Sequence, residues 1–142
     1  RVEMRSQTKI INFSTSGDCD IIDVTEEIRD AVVASGMRNG VATAFVPGAT
    51  GALTTIEYED GLLADFKQLM QRLAPSEAPY SHNERWGDGN GHSHLRASLL
   101  GPSLSIPFND AHLMLGTWQQ VIFVDFDNRP RRREVIVQIL GE

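Results

Sequence analysis

Two strand-like runs stand close together in one stretch, Gln119-Gln-Val-Ile-Phe-Val-Asp-Phe-Asp-Asn-Arg-Pro-Arg-Arg-Arg-Glu-Val-Ile-Val-Gln-Ile-Leu140. Residues 119–126 and 134–140 are rich in β-branched and aromatic side chains, a composition typical of β-strands. Between them, Asp127-Asn-Arg-Pro130 has turn-forming residues and predicts a hairpin connection. Strands joined by a short turn run antiparallel, because parallel strands need a long crossover. The stretch therefore predicts an antiparallel sheet.

The chain before this stretch adds further strands and a first helix. Short apolar runs predict strands at residues 9–13, 18–22, 40–46, 52–58 and 103–108, with a turn at 14–17. Residues 95–100 fit either a strand or a short helix. Asp23 predicts a helix N-cap, with Glu26 three residues later, and Gly36 predicts the end of that helix.

A second helix is predicted by an apolar stripe at helical spacing, with Pro75 after its end. We expect the whole stripe to lie in the core. Its members are Leu62, Leu63, Phe66, Leu69, Met70 and Leu73. The complete pattern predicts one α+β domain over residues 1–142, a compact, mostly antiparallel, β-sandwich-like sheet with two main helices.

Composition argues against several classes of protein. The net charge of −6 disfavours broad binding of nucleic acid, which usually needs a basic face. No apolar run approaches the roughly 20 residues that cross a bilayer, and none follows the charged start, so we expect no membrane attachment and no signal peptide. The single cysteine, Cys19, fits a reducing compartment, and we expect a cytoplasmic protein.

Three of the four histidines fall within residues 82–94, together with carboxylates and alternating glycines. Neutral imidazole is the commonest protein ligand of divalent metals. If His92-Ser-His94 lay on a strand, both rings would point to one face and could join His82 as three metal ligands. Asp88 or Glu84 could add a ligand, orient one, or act as a base on bound water. The alternative is a polar surface loop whose histidines are separately solvated.

The expected cofactor follows from these donor types. Three protein ligands plus an open position is the arrangement of catalytic zinc. A histidine cluster favours zinc or nickel, whereas magnesium prefers oxygen ligands and keeps its waters. We therefore expect a divalent metal, with zinc before nickel or magnesium.

Residues 47–57 form a second candidate segment, rich in small residues and hydroxyls. Around Thr50, backbone amides could approach an oxyanion such as phosphate; the alternative is a glycine-rich strand bend. Glu57 could be a general base or a ligand, and the alternative is an exposed glutamate.

Four guanidinium groups fall within five residues, at Arg129, Arg131, Arg132 and Arg133. Arginine suits bidentate binding of phosphate or carboxylate, so the cluster could hold an anionic substrate or pair with an acidic neighbouring subunit. The alternative is a solvated turn. Trp118 could wall a pocket or lie in the core.

Several blocks together make the chain similar to a known family. They are Thr50-Gly-Ala-Leu-Thr-Thr-Ile-Glu57, His82 followed by Gly-Asp-Gly-Asn-Gly-His-Ser-His94-Leu, Gly101-Pro-Ser-Leu-Ser-Ile-Pro107, Leu115-Gly-Thr-Trp-Gln119, and the arginine-rich turn leading to Val-Gln-Ile-Leu-Gly-Glu142. In this order, over nearly the whole chain, they resemble the YjbQ family, also described as secondary thiamine-phosphate synthase-like proteins.

The resemblance implies an α+β fold rich in antiparallel sheet, a homotrimer, and a metal-holding pocket near the subunit interfaces. By position, His82 and His94 match the family's motif histidines, and Glu57 matches the glutamate that closes its Thr-rich strand. Asp88 and Asn90 match the Asp/Asn-rich approach to the second histidine.

This chain departs from the family pattern at Gly48, where many members have a histidine before the Thr-rich segment. The departure shifts the expected metal ligation toward His92.

The family name implies a reaction that joins a pyrimidine diphosphate to a thiazole phosphate and releases pyrophosphate. Such chemistry needs the leaving-group charge neutralised and both reactants held in place. Besides the metal, the candidate substrate contacts are Thr50, Asn90, Trp118, Arg129 and Arg131.

Three functional hypotheses result. The first is a metal-dependent enzyme with weak thiamine-phosphate synthase activity. The second is a metal-dependent hydrolase of a small phosphorylated or carbonyl-containing metabolite, in which Glu57 or Asp88 activates water. The third is a non-catalytic trimer that binds a metal or a metabolite. In each case the expected partners are a small anionic metabolite and further copies of the chain.

Overall fold

A computed structural model describes residues 2–142; Arg1, the first residue of the expected domain, lies outside the described residues. The described elements are, in chain order, β1 (Arg5–Thr15), β2 (Asp20–Asp23), α1 (Thr25–Ser35), β3 (Gly40–Phe45), β4 (Gly51–Glu57), α2 (Asp60–Leu73), α3 (Ser81–Trp86), α4 (Gly91–Leu100), β5 (Ser103–Asn109), β6 (His112–Leu113), β7 (Gln119–Asp125) and β8 (Arg131–Gly141). Within residues 2–142 no helix is both long enough and apolar enough to span a bilayer.

The larger sheet has five strands in the order β1-β8-β3-β5-β6, and all of its pairs are antiparallel. Strand β8, which lies between β1 and β3, alternates between inner and outer faces. Val135, Val137 and Ile139 point inward and are fully buried. Burying an aliphatic side chain of this size contributes about 2 kcal/mol, so this alternation fixes which face of the sheet meets the core.

The smaller sheet has three strands in the order β2-β7-β4, again antiparallel. Both faces of β7 are covered. Val121 and Phe123 belong to the core shared with the larger sheet, whereas Ile122 and Val124 pack under α2 and α4. A strand buried on both faces reads as a continuous apolar run, which explains the composition of residues 121–124.

The predicted hairpin between β7 and β8 is wrong. The two strands belong to different sheets, and residues 126–130 carry the chain from one sheet to the other. Turn-forming residues mark where a chain changes direction but do not select the partners of the strands on either side. Here β8 pairs with β1 and β3, while β7 pairs with β2 and β4. The α+β class with mostly antiparallel pairing is nevertheless confirmed.

The first helix begins and ends close to the predicted residues. Its N-cap position is Val24, one residue after the predicted cap, yet the Asp23 carboxylate still accepts hydrogen bonds from the amide and hydroxyl of Thr25 at 3.0 and 2.6 Å. Gly36 ends the helix in the left-handed conformation, with φ of 71°, where glycine has no steric cost.

The expectation that the whole stripe of α2 lies in the core is wrong. Met70 alone among the stripe residues is buried, whereas Leu69 is 40% exposed and Leu73 is 57% exposed. The helix packs on the outer face of the smaller sheet through Leu63, Phe66 and Met70. Phe66 stacks on Phe126, the residue after β7, with ring centroids 6.4 Å apart. Two of the six stripe residues, Leu69 and Leu73, are therefore exposed in the single chain.

Candidate functional site

Two helices, α3 and α4, carry the clustered histidines, where a loop and a strand were expected. The Asn83 side chain accepts a hydrogen bond from the Gly91 amide at 2.8 Å and so ties the end of α3 to the start of α4. Residues two positions apart on a helix point about 200° apart. The strand interpretation of His92-Ser-His94 is therefore wrong, and the two rings leave α4 on opposite faces.

The structure brings together His82, His94 and Asp88. The rings of His82 and His94 are in contact, with centroids 4.5 Å apart. Nδ1 of His82 lies 3.6 Å from Oδ1 of Asp88 and has no hydrogen-bond partner among residues 2–142. The His82 side chain is 30% exposed and that of Asp88 is 49% exposed, so solvent or a small ligand can reach this pair of histidines.

His92 faces a different part of the molecule, although it stands only two residues from His94. Its ring is 4% exposed and borders a pocket with Gln71 and Arg96. Burial, together with the Arg96 charge, lowers the pKa of His92 below its usual value. In the part of the chain that the structure describes, no three His, Cys, Asp or Glu side chains are grouped closely enough to hold a metal as they stand.

Gly48 borders the same small cavity as His94, a space of about 210 Å³. This is the position where the family pattern often has a histidine. The cavity is also lined by Gly51 and Ser98. The glycine at position 48 therefore lies next to the histidine pair, and the cavity beside His94 stays open because glycine has no side chain to fill it.

Asn90 connects the histidine helices to a buried carboxylate. Its amide nitrogen donates to Oδ1 of Asp127 at 3.2 Å, while its own oxygen, though buried, has no hydrogen-bond partner among residues 2–142. Asp127 also accepts hydrogen bonds from the Asn128 amide and from Nε of Arg131, at 2.8 and 2.9 Å. Burial would raise the pKa of Asp127, but these hydrogen bonds prevail and lower it to about 2.

A second buried carboxylate, Asp125, pairs with Arg133 in a bidentate contact at 2.7 and 2.8 Å. The Thr15 hydroxyl donates to Asp125 at 2.5 Å, and Arg133 donates to the hydroxyl of Thr50 at 2.7 Å. Burial opposes ionisation of Asp125, yet the hydrogen bonds from Arg133 and Thr15 lower its pKa. Thr50 is thus engaged by protein groups and donates in turn to Asp127 at 3.2 Å.

Sequence reasoning missed Asp125, Asp127 and Arg133 as organising residues of this region. A signal was present, because carboxylates at the end of a buried apolar strand require partners. For the arginine cluster the sequence left open an anionic ligand, an acidic neighbouring subunit or a solvated turn. In the structure Arg131 and Arg133 neutralise these two carboxylates. Arg129 and Arg132 remain exposed.

Glu57 and Trp118 line a separate cleft of about 510 Å³, together with Tyr58, Glu59 and Thr117. Trp118 is 72% exposed and is not a core residue. None of the residues lining this cleft belongs to the histidine pair or to the Asp127 network. Within one chain, the groups that the sequence suggested for joining two phosphorylated reactants therefore lie at separate sites: the histidine pair, the Asp127 network and the Trp118 cleft.

His82, His94 and Asp88 offer two imidazoles and one carboxylate, which are donor types found in zinc sites. In a tetrahedral zinc site, two ligand atoms lie roughly 3.4 Å apart, given zinc–ligand distances near 2.0–2.1 Å. The separation of 3.6 Å between His82 Nδ1 and Asp88 Oδ1 is close to that value. Two imidazoles and one carboxylate suit zinc better than magnesium, which prefers oxygen ligands throughout.

Comparison with known proteins identifies the family. The family model described as UPF0047 protein YjbQ-like matches residues 9–142. A UPF0047 protein of Methanothermobacter thermautotrophicus is 36% identical over 141 residues, covering 99% of this chain and 96% of the relative. One from Archaeoglobus fulgidus is 38% identical over 130 residues, covering 92% and 98%.

Solved structures agree with the sequence relatives. A YbjQ-like protein of unknown function from Sulfolobus solfataricus P2 superposes with a TM-score of 0.94 at 31% identity, covering 99% of this chain and all of the other. A YjbQ/UPF0047 family protein from Clostridium acetobutylicum gives a TM-score of 0.85 at 35% identity, covering 92% and 98%. From the family model, the relatives and the shared fold, we conclude that the chain belongs to the UPF0047, or YjbQ-like, family.

Proposed function

We propose that the protein is a metal-dependent enzyme that acts on a small anionic metabolite, with its centre at His82, His94 and Asp88. The observation that carries the proposal is the contact between the two imidazole rings, beside a carboxylate and an unpartnered ring nitrogen. Buried polar atoms in folded proteins nearly always have partners. A missing partner at His82 Nδ1 is therefore the place where a ligand is expected.

His82, His94 and Asp88 would hold the ion after their side chains move closer together, because no three such groups among residues 2–142 are close enough as they stand. Zinc is the metal that these donors favour. A divalent ion at this position would supply a Lewis acid able to neutralise negative charge on the substrate. Asn90 precedes α4 and has a buried carbonyl oxygen without a partner among residues 2–142, and its hydrogen bond to Asp127 fixes the orientation of that amide. Such a fixed acceptor can orient a substrate hydroxyl or amine without reorganising.

Metal binding is tested first, by elemental analysis of protein purified without a metal-affinity tag and dialysed against zinc. We expect close to one zinc per chain in the wild type, and less than a tenth of that in His82→Ala and His94→Ala. His112→Ala is the matched control, because His112 is exposed on β6. Zinc content that is unchanged in both site variants would refute the proposed centre.

His92 gives a sharper test of the geometry. Because its ring leaves the opposite face of α4, we expect His92→Asn to retain zinc as the wild type does. Loss of zinc in this variant, with a native circular dichroism spectrum, would show that His92 is a ligand and that α3 and α4 rearrange on binding.

Turnover is tested on a panel of phosphate monoesters and on the pyrimidine diphosphate and thiazole phosphate pair. We expect zinc-dependent turnover that is abolished by chelator and reduced at least 100-fold by Asp88→Asn. Glu57→Gln reports separately on the cleft around Trp118. If fully metallated protein turns over nothing on this panel, a binding function is favoured over catalysis.

We also propose that the chain assembles as a homotrimer. On the outer face of the larger sheet, Ile10, Ile136 and Phe45 stand in one row across β1, β8 and β3. Ile10 and Phe45 are 39% and 42% exposed. Apolar side chains aligned in this way favour contact with another surface, and closed rings are a common solution for identical subunits.

A further inference from the structure

A second pocket of about 330 Å³ lies on the opposite side of α4 from His94. Its polar lining comes from Asp18, Lys67, Gln71, Ser76, His92 and Arg96. Cys19 also borders it, but burial raises the pKa of that thiol to about 11, so Cys19 contributes an uncharged thiol to the lining. The proposed metal centre uses none of these groups.

Arg96 brings an uncompensated charge to this pocket. The side chain is 5% exposed, and its contacts are to neutral oxygens: the Ala74 carbonyl at 2.9 Å and Oε1 of Gln71 at 2.8 Å. Among residues 2–142 it forms no salt bridge. A buried charge is costly unless an opposite charge accompanies it, so the missing group in this pocket is an anion.

His92 supplies a second, independent sign of a ligand. Its Nδ1 is buried and has no hydrogen-bond partner in the described chain, and its Nε2 has only a long contact of 3.5 Å to the Ser93 hydroxyl. A neutral imidazole can carry its proton on Nδ1 and donate it to an anion.

The charges that line the pocket indicate what would balance them. Arg96 and Lys67 are cations, and Asp18 is the single carboxylate of the lining. Among residues 2–142 neither Asp18 nor Glu77 forms a salt bridge with Arg96, so the buried guanidinium lacks an anionic partner. Glu77 lies beside the pocket, and its carboxylate accepts hydrogen bonds from Gln71 and Ser76 at 2.7 and 2.8 Å. We propose that this pocket binds a singly charged oxyanion of a small metabolite, of which a carboxylate is the simplest.

The probe for this proposal is acetate, titrated into the whole protein at constant ionic strength and followed by NMR of the imidazole nitrogens. The chain has four histidines, so the signals can be assigned by substitution. We expect a saturable shift of the His92 signals, with His82, His94 and His112 unaffected. Inorganic phosphate is titrated in parallel, and tighter binding of phosphate than of acetate would identify the oxyanion as that of a phosphorylated ligand.

Two variants make the test decisive. Arg96→Gln and Lys67→Ala should each weaken acetate binding at least tenfold; Lys67 is exposed, so its variant should fold even if Arg96→Gln does not. Lys9→Ala, an exposed lysine on β1, is the matched control, and His94→Ala should bind acetate normally. A His92 signal that does not respond to either anion, or a response unchanged in Lys67→Ala, would overturn the proposal.

Discussion

Asp127 combines nearly complete burial with full ionisation, because the Asn128 amide and the side chains of Asn90 and Arg131 all donate to it. These contacts hold the pKa of Asp127 at about 2, against roughly 3.9 in an unfolded chain. The depressed pKa means that the stabilising contribution is complete above about pH 5 and is lost as the pH falls toward 2. Its size is about 3 kcal/mol.

We therefore expect the acid sensitivity of the fold to depend on Asp127. Urea unfolding from pH 7 to pH 2.5 should show Asp127→Asn less stable than the wild type at pH 7, with a difference that shrinks as the pH falls. Asp65→Asn is the control, since Asp65 is exposed on α2. Parallel pH profiles for Asp127→Asn and the wild type would contradict the assignment.

Gly51 shows how closely β4 approaches the core. A Cβ atom at this position would lie 2.6 Å from Cζ of Phe123, which is fully buried. Inserting a methyl group into such a packed site typically costs 1–3 kcal/mol. We expect Gly51→Ala to lower the free energy of unfolding by about 2 kcal/mol, measured in urea. Gly116→Ala, where the nearest side-chain atom is 3.6 Å away, should change it by less than about 0.5 kcal/mol.

At single residues, the sequence revealed which groups are chemically unusual but not which of them meet. The histidines and Asp88 could be recognised from their types and spacing, whereas the convergence of His82 and His94 depends on how α3 folds against α4. The pairing of Arg133 with Asp125 was missed for the same reason, since the two belong to strands of different sheets.

Among the elements, α2 departs most from its sequence pattern. A helical stripe predicts one apolar face, but whether that face is covered depends on what packs against it. Here Met70 is buried and Leu73 is largely exposed. Likewise, residues 95–100 belong to the helix α4, because short apolar runs do not distinguish strand from helix.

Truncation of Met70 and of Leu73 in α2 should therefore change the stability of the fold by different amounts. We expect Met70→Ala to cost 2–5 kcal/mol through lost contacts and a cavity, and Leu73→Ala to change stability by less than about 0.5 kcal/mol. Urea unfolding of both variants at one fixed protein concentration checks this. If Leu73→Ala is as destabilising as Met70→Ala, α2 must be covered in the protein in solution.

For the whole molecule, the α+β class and the antiparallel, sandwich-like character of the fold were predictable, but the assignment of each strand to one of the two sheets was not. Seven of the eight strands were recognised, whereas the two-residue strand β6 was missed and the partners of β7 and β8 were misjudged. Strand partners depend on contacts far apart in sequence, such as Arg5 with Gly141, which local turn signals do not contain.

The proposed trimer makes a prediction at this scale. Light scattering at micromolar concentration should give three times the mass of the chain, and Phe45→Glu should lower it by placing a charge on the exposed face of the larger sheet. Val33→Glu is the control, because Val33 is also exposed but lies on α1. A monomer mass for the wild type would exclude the trimer, and a trimeric Phe45→Glu would exclude this face as the contact.

The position of β8 between β1 and β3 also affects how the domain is made. It is the last of these strands to leave the ribosome, yet both β1 and β3 need it as a hydrogen-bonding partner. Until residues 131–141 emerge, β1 lacks its partner and β3 has one open edge, and unpaired strand edges invite aggregation. A nascent chain of this protein should therefore gain protease resistance abruptly, when β8 clears the exit tunnel, and arrested chains that lack β8 should be bound by chaperones.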